Sequence, residues 1–329
     1  MYNIKQSPDD FVVNEVCRLP EDEGRGRQYS YFIMSKRGLN THDALRMAAK
    51  RLNMPMKFAG YAGLKDKNSV SSQLVSFREH CGEKIENLGI TGISFRLVGY
   101  GSTPVTVGCL EGNKFRIAVR NFHGHELEAA ALEKAECGFS VPNFFGEQRF
   151  GKCNHLIGKA IVKGQFQEAA KLISESGNNS VGYYLSDRKN DFVGAVVGVG
   201  KEVAILYVHS YQAYIFNECI SEYLKYSALV DEAFPIVGFA TEIGDYNEKV
   251  RRVVLDVMKR EGVSFNDFVV RKVPQLSCEG SDRKMLAEVS DFSFIISDDE
   301  LNAGMKKCVL CFYLPKGSYA TVVIKCLFG

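Results

Sequence analysis

Asp66 stands between Lys65 and Lys67 in the run YAGLKDKNSVSSQ, residues 61–73. An aspartate in a turn rich in small residues commonly serves the turn alone. The flanking lysines allow a second reading, since nearby cations keep a carboxylate ionised and also contact phosphates. In an extended LKDK segment Lys65 and Lys67 would share a face and Asp66 would point the other way. Three more stretches mix polar and aromatic side chains. In EGNKFRIAVRN, residues 111–121, Asn113 either serves the turn before a strand or uses its amide, which donates and accepts, to read a base edge; Phe115 is a core residue or a stacking ring. In VPNFFGEQRFG, residues 141–151, Phe144, Phe145 and Phe150 interleave with Glu147, Gln148 and Arg149, either as a structural knot at a domain junction or with Arg149 on a phosphate or base. In LPKGSYATVV, residues 314–323, Lys316 and Tyr319 fall in a turn, where a tyrosine is exposed or stacks.

Other chemistries find little support. The sequence has no G-x-S-x-G, no H-E-x-x-H and no P-loop. His42, His80, His123, His125, His155 and His209 form no metal-ligand pattern, and His123 and His125 read as solvated. Cys308 and Cys311 make one C-x-x-C, without the second pair or the histidines that a structural zinc requires. They lie in a strand-like segment, where residues three apart face opposite ways. The ten cysteines are expected to be free thiols. With 41 Lys+Arg against 39 Asp+Glu, the net charge of +2 neither predicts nor excludes a nucleic-acid partner, so any basic surface must be local. No secretory signal or membrane-length apolar run is read, so a soluble, cytoplasmic protein is expected.

The elements that must position these residues alternate at first. DDFVVNEV reads as a half-buried strand with Phe11, Val13 and Glu15 on one face. NTHDALRMAAKRLNMP reads as a helix capped by Asn40 or Thr41, with Leu45, Ala48, Ala49 and Leu52 as its stripe and Pro55 beyond it. MKFAGYAG, QLVSFR, SFRLVGYG and NKFRIAVRN are strand candidates, and HELEAAALEKAEC a helix followed by Gly138. The middle is helical: QFQEAAKLISES, SYQAYIFNECISEYLKYSAL and YNEKVRRVVLDVMKREG, the last stopped by Gly262. DFSFIIS, KKCVLCFYL and YATVVIKCLF then read as strands, the last two joined as a hairpin by PKGS. Strands, then helices, then strands describe a discontinuous α+β fold of about two domains in 329 residues.

Seven segments taken together resemble the TruD family of tRNA pseudouridine synthases: KQSPDDFVVNE (5–15), YAGLKDKNSVSSQ (61–73), GNKFRIAVR (112–120), VPNFFGEQRFG (141–151), SYQAYIFN (210–217), CEGSDRKML (278–286) and FYLPKGSYAT (312–321). They follow in family order across nearly the whole chain. The resemblance implies a mixed-sheet catalytic domain, residues 1–139 plus 288–329, carrying a mostly helical insertion over 140–287. It implies isomerisation of a uridine in tRNA to pseudouridine, at position 13 in bacterial members, with tRNA as partner and no metal or organic cofactor; a monomer is expected. It makes Asp66 the catalytic residue. It makes Phe11, Asn113 and Tyr319 substrate contacts, Lys5 the basic partner of the aspartate and Phe115 the active-site aromatic. After Asp66 the chain has Ser69 and Ser71 where the family more often has alanine and threonine.

Breaking and remaking a glycosidic bond with a carboxylate can proceed by nucleophilic attack or by removal of a sugar proton, and the sequence leaves both open. Either route needs the base out of its stack. Lys5, Lys65 and Lys67 would keep Asp66 charged and grip phosphate. Two other classes stand beside the synthase. One is a non-catalytic tRNA-binding module. The other is a hydrolase, which for a glycoside would need a second carboxylate opposite Asp66; Glu15 is the motif carboxylate at hand.

Overall fold

The computed structural model describes residues 2–20, 26–78, 82–123, 138–228 and 230–329. The helix read over 125–137 lies outside them, as do His80 and His125. The chain forms two compact units, 1–140 with 288–329, and 141–287.

The first unit is built on a mixed sheet. Its strands are β1 (Asn3–Ile4), β2 (Phe11–Cys17), β3 (Tyr29–Arg37), β4 (Ala59–Tyr61), β5 (Val70–Arg78), β6 (Ile93–Gly101), β7 (Leu110–Phe122), β8 (Phe139–Pro142), β11 (Leu286–Asp298) and β12 (Lys306–Pro315). They are ordered β6-β3-β5-β2-β7-β12-β11-β8, with β1 also on β7 and β4 on β5. The chain passes between the units within β8 and β11. β2 and β5 run parallel, Val12 opposite Val70. Parallel neighbours need a long crossover, and α1 (Thr41–Arg51) lies in that connection. Asn40 caps α1, its side chain accepting from the Asp43 N–H, and Ala44, Leu45, Ala48 and Ala49 are its buried stripe. That stripe packs on Phe32, Met34, Val75 and Phe77 of the sheet, joined by Ile85 of α2 (Gly82–Glu86).

Two expectations are corrected. YATVVIKCLF is a helix, Ala320–Phe328, and the terminal hairpin is instead β11 with β12. Its β-branched residues favour strands only weakly. Ala320, Val323, Ile324 and Leu327 recur at i, i+3, i+4 and i+7, and these are the residues the helix buries. In MKFAGYAG only residues 59–61 pair as strand, after a single 3₁₀ turn over Met56–Phe58. β3 has no counterpart among the sequence-predicted strands. It lies between β5 and β6, and although burial alternates from Phe32 to Lys36, the residues Tyr31, Phe32, Ile33 and Met34 are apolar in succession, so residue type hides the period that marks a strand. Cys308 and Cys311 sit in β12 as free thiols, and no metal-holding group occurs among the described residues.

In the second unit, α3 (Asn154–Val162), α4 (Phe166–Glu175), α5 (Ser180–Asp187), α6 (Phe192–Gly198), α7 (Lys201–Tyr223) and α8 (Glu248–Glu261) enclose one apolar core, with the hairpin of β9 (Ala233–Ile236) and β10 (Ser281–Lys284). α7 is its axis and buries residues all round. α3 approaches it so closely at Gly158 that a side chain there would collide with the Tyr207 carbonyl. Asn247 caps α8, and Gly262, in the left-handed region at φ 67°, ends it.

One buried ion network ties the first unit together. Arg120 of β7 donates to Asp10 Oδ1 from Nε at 3.0 Å and to Asp299 Oδ1 at 2.7 Å, with all three residues buried. Asp299 also accepts from the Asn121 N–H at 3.1 Å. Burial raises the Asp299 carboxyl, but the hydrogen bonds from Asn302, Leu301, Arg120 and Asn121 outweigh it and hold the group below the usual carboxylate range. Removing one member leaves the others charged and buried. Arg120→Ala is expected to lower the unfolding free energy by ~3–5 kcal/mol, measured by urea denaturation of the variant against wild type.

Candidate active site

The site begins with an unusual backbone. Lys5 has φ 59°, in the left-handed region that costs a β-carbon-bearing residue strain. The pairing of β1 on β7 precedes it, and the Asn68 side chain donates to its carbonyl at 2.9 Å. So held, Lys5 places its ammonium 2.6 Å from Asp66 Oδ2 and 4.2 Å from the centre of the Phe11 ring. Two of the sequence-predicted residues thus meet the third through one cation.

The Asp66 loop is fixed from beneath. The Asp66 carbonyl accepts from Ser69 Oγ at 2.7 Å and from Lys36 Nζ at 2.8 Å; Lys36 also donates to the Leu39 carbonyl at 2.6 Å. Thr41, at the start of α1, accepts from the Lys65 N–H at 2.9 Å and donates to Gln73, whose amide donates to the Gly63 carbonyl at 2.9 Å. These bonds fix the backbone on both sides of Asp66 before any ligand arrives.

The three loop charges have different surroundings. Asp66 is about one-third exposed (35%). Lys67 is exposed. Lys65 is buried and paired with Glu15, whose side chain is fully covered. The expected shared face of Lys65 and Lys67 therefore does not form, because the segment is an irregular loop and Lys65 turns inward. Glu15 sits where β2 and β5 part: their pairing covers residues 12–14 with 70–72, and beyond it the Glu15 carboxylate accepts the Leu74 N–H at 3.2 Å.

The floor is supplied by β2, β7 and β12. Cross-strand partners share a face. Phe11, Val13 and Glu15 stand opposite Ile117, Phe115 and Asn113, which stand opposite Leu310, Phe312 and Leu314. Phe11 meets Phe115 edge to face at 6.1 Å, and Phe115 stacks on Phe312 at 5.4 Å. Phe11 and Phe115 are 5% and 9% exposed, so both rings are largely covered. Asn113 Oδ1 is buried and has no hydrogen-bond partner. Gly112 precedes it, and a side chain there would strike Tyr313 and the Leu314 carbonyl; the close approach of β7 and β12 beside Asn113 requires glycine. Tyr319 is half-buried at the N-cap of the last helix, in the turn after β12, five residues beyond the Leu314 that pairs with Asn113.

Sequence reasoning passed over Lys36. It occupies the position after Phe32 and Met34 on a buried strand face and is 2% exposed. A lysine two residues beyond Met34, in a strand with the apolar run Tyr31 to Met34, is the signal that marks it. Burial pushes its ammonium down to about 8; the Asp66 charge opposes the shift and that of Lys65 adds to it.

A family model described as tRNA pseudouridine synthase D (TruD) matches residues 2–180 and 229–327. A relative from Methanosarcina barkeri named as a probable tRNA pseudouridine synthase D is 29% identical over 410 aligned positions, covering 98% of this chain and 92% of the relative. One of the same name from Methanosarcina mazei is 30% identical, over 98% of this chain and 92% of the relative. A crystal structure carrying the name tRNA pseudouridine synthase D (TruD), from Methanosarcina mazei, superposes with a TM-score of 0.76 at 27% identity, over 99% of this chain and 93% of that one. The chain belongs to the TruD family of tRNA pseudouridine synthases, a family of isomerases.

The Lys36 environment gives a pH signature. Unfolded, the group titrates near its ordinary value of 10.5; folded, near 8. Between these the unfolded chain binds more protons, so the Lys36 contribution to stability rises with pH across that window and is lost as pH falls through 8. The unfolding free energy of wild type minus that of Lys36→Met is therefore expected to grow from pH 8 to pH 10, measured by denaturant unfolding at each pH.

Proposed function

We propose that this protein isomerises a uridine of tRNA to pseudouridine with Asp66 as the catalytic carboxylate and without metal or organic cofactor. The observation that carries the reading is the Lys5–Asp66 ion pair at 2.6 Å, on a loop pinned through its backbone and beside an aromatic floor. The ammonium favours the carboxylate form at the pH where tRNA is handled. The uridine must leave its stack to reach a group at this depth. Asn113 Oδ1, buried and unpartnered, suits the N3–H of a uracil, which would supply the missing donor. Phe11, Phe115 and Tyr319 are the aromatic groups for the base.

Asp66 either attacks C1′ or takes a proton from C2′, and both open the C1′–N1 bond. The uracil turns and C1′ bonds to C5, which releases the Asp66 carboxylate on the first route and takes the proton back at C2′ on the second. The C5 hydrogen leaves as a proton and N1 ends protonated, so the product is an isomer and no oxidant or reductant is consumed. Lys65, committed to Glu15, supports the loop rather than the RNA; Lys5 serves the carboxylate. The insertion of the second unit between residues 140 and 288 is in keeping with the family-specific domain the sequence suggests.

Tritium release from tRNA labelled at uridine C5 tests the assignment. Wild type is expected to release it, and Asp66→Asn to release none while binding tRNA within a few-fold of wild type. Near-normal release by Asp66→Asn would overturn the assignment. Asn113→Ala should lower kcat/KM about tenfold, the ~1–2 kcal/mol of one lost hydrogen bond. A deuterium isotope effect at C2′ of the target uridine would select proton removal over attack.

A further inference from the structure

Three motif segments of the second unit have no part in the reaction above, and they converge on one cavity. Residues 141–151, 210–217 and 278–286 contribute Phe145, Arg149, Gln212, Glu279, Gly280 and Arg283 to a cleft of about 590 Å³ that His209 also lines. Both guanidiniums lie against the Phe145 ring, Arg283 at 4.1 Å and Arg149 at 5.8 Å from its centre. Arg283 is anchored by Asn143, donating to its carbonyl at 3.0 Å and to its Oδ1 at 2.6 Å.

Arg149 lacks such support. Its Nε is buried without a partner. A half-buried guanidinium with one nitrogen cut off from water and from any acceptor has only the Phe145 ring as compensation, and an arriving anion would add to it. Burial, and after it the Arg149 charge, hold the neighbouring His209 imidazole below its ordinary value, so at neutral pH it stands ready to donate one hydrogen bond without a charge of its own. Glu279, the carboxylate of the lining, is exposed. A planar fork held against an aromatic ring is suited to two oxygens of one phosphate.

We propose that this cavity binds a phosphate group through Arg149 and Arg283, the phosphodiester of the RNA substrate being its source; the choice of source rests on the synthase reading. Each phosphate so held displaces counterions, so it adds to the salt dependence of binding.

The test is anisotropy of a labelled tRNA transcript against wild type, Arg149→Gln and Arg149→Lys, titrated between about 50 and 200 mM KCl. Lys249→Gln, which removes an exposed cation of the same unit, controls for bulk charge. Arg149→Gln is expected to weaken binding about three- to tenfold and to reduce the slope of log Kd against log salt by about one. Arg149→Lys should keep the slope and weaken binding about threefold, through loss of the fork, and it answers the question if the glutamine variant does not fold. Unchanged slope and affinity in Arg149→Gln, unchanged affinity in Arg149→Lys, or an equal change in Lys249→Gln would overturn the site. Thermal unfolding with inorganic phosphate against chloride at matched ionic strength distinguishes the sources: a rise confined to proteins with Arg149 means that the site takes free phosphate too, and no rise beside a changed slope means that it takes the RNA diester alone. Tritium release from the same preparations keeps the two readings apart. Wild type that shows the Arg149-dependent slope yet releases no tritium removes the synthase reading and leaves the phosphate site.

Discussion

The site depends on holding a charged carboxylate partly out of water. Asp66 loses hydration where it sits, and Lys5 compensates at 2.6 Å only because the Lys5 backbone accepts a left-handed conformation. The strain is local, and the bonds that oppose it come from several parts of the first unit: the Asn68 amide, the β1 pairing and the loop that Lys36, Ser69 and Thr41 hold. In the proposed reaction this rigidity has a chemical use. A carboxylate already oriented needs little reorganisation when charge moves during bond breaking.

The same economy of charge recurs around the loop. Lys65 and Glu15 neutralise each other under cover, and Glu15 also takes the N–H left over where β2 and β5 separate. Lys36 is different, since its acceptors are carbonyl oxygens. Its burial cost is met by fixing the backbone of Asp66, and its lowered proton affinity follows from that exchange.

Much of this was legible in the residues. Asn40, the α1 stripe and Gly262 mark their helices because caps and periodicity are local properties. The last segment misleads because β-branched composition and helical spacing disagree, and burial decides for spacing. Charge partners were less legible. Nothing local says that Lys65 pairs with Glu15, fifty residues away, or that Lys36 lies under Asp66. Such pairs are set by strand order, which requires the whole sheet. The unpartnered Asn113 oxygen and Arg149 nitrogen are likewise visible only after packing has removed water from them.

The order of the sheet also bears on how the protein is made. β7 lies between β2, made early, and β12, made after the whole second unit. The segment 141–287 is continuous and has its own core, so a nascent chain can complete it while β7 still presents an open edge. That edge is a template for pairing with other chains until residues 306–315 leave the ribosome. Arg120 waits with it, its partner Asp299 not yet synthesised. The interval between completion of β7 at residue 122 and the arrival of residues 306–315 is thus when this edge is open, and when a chaperone has most to protect.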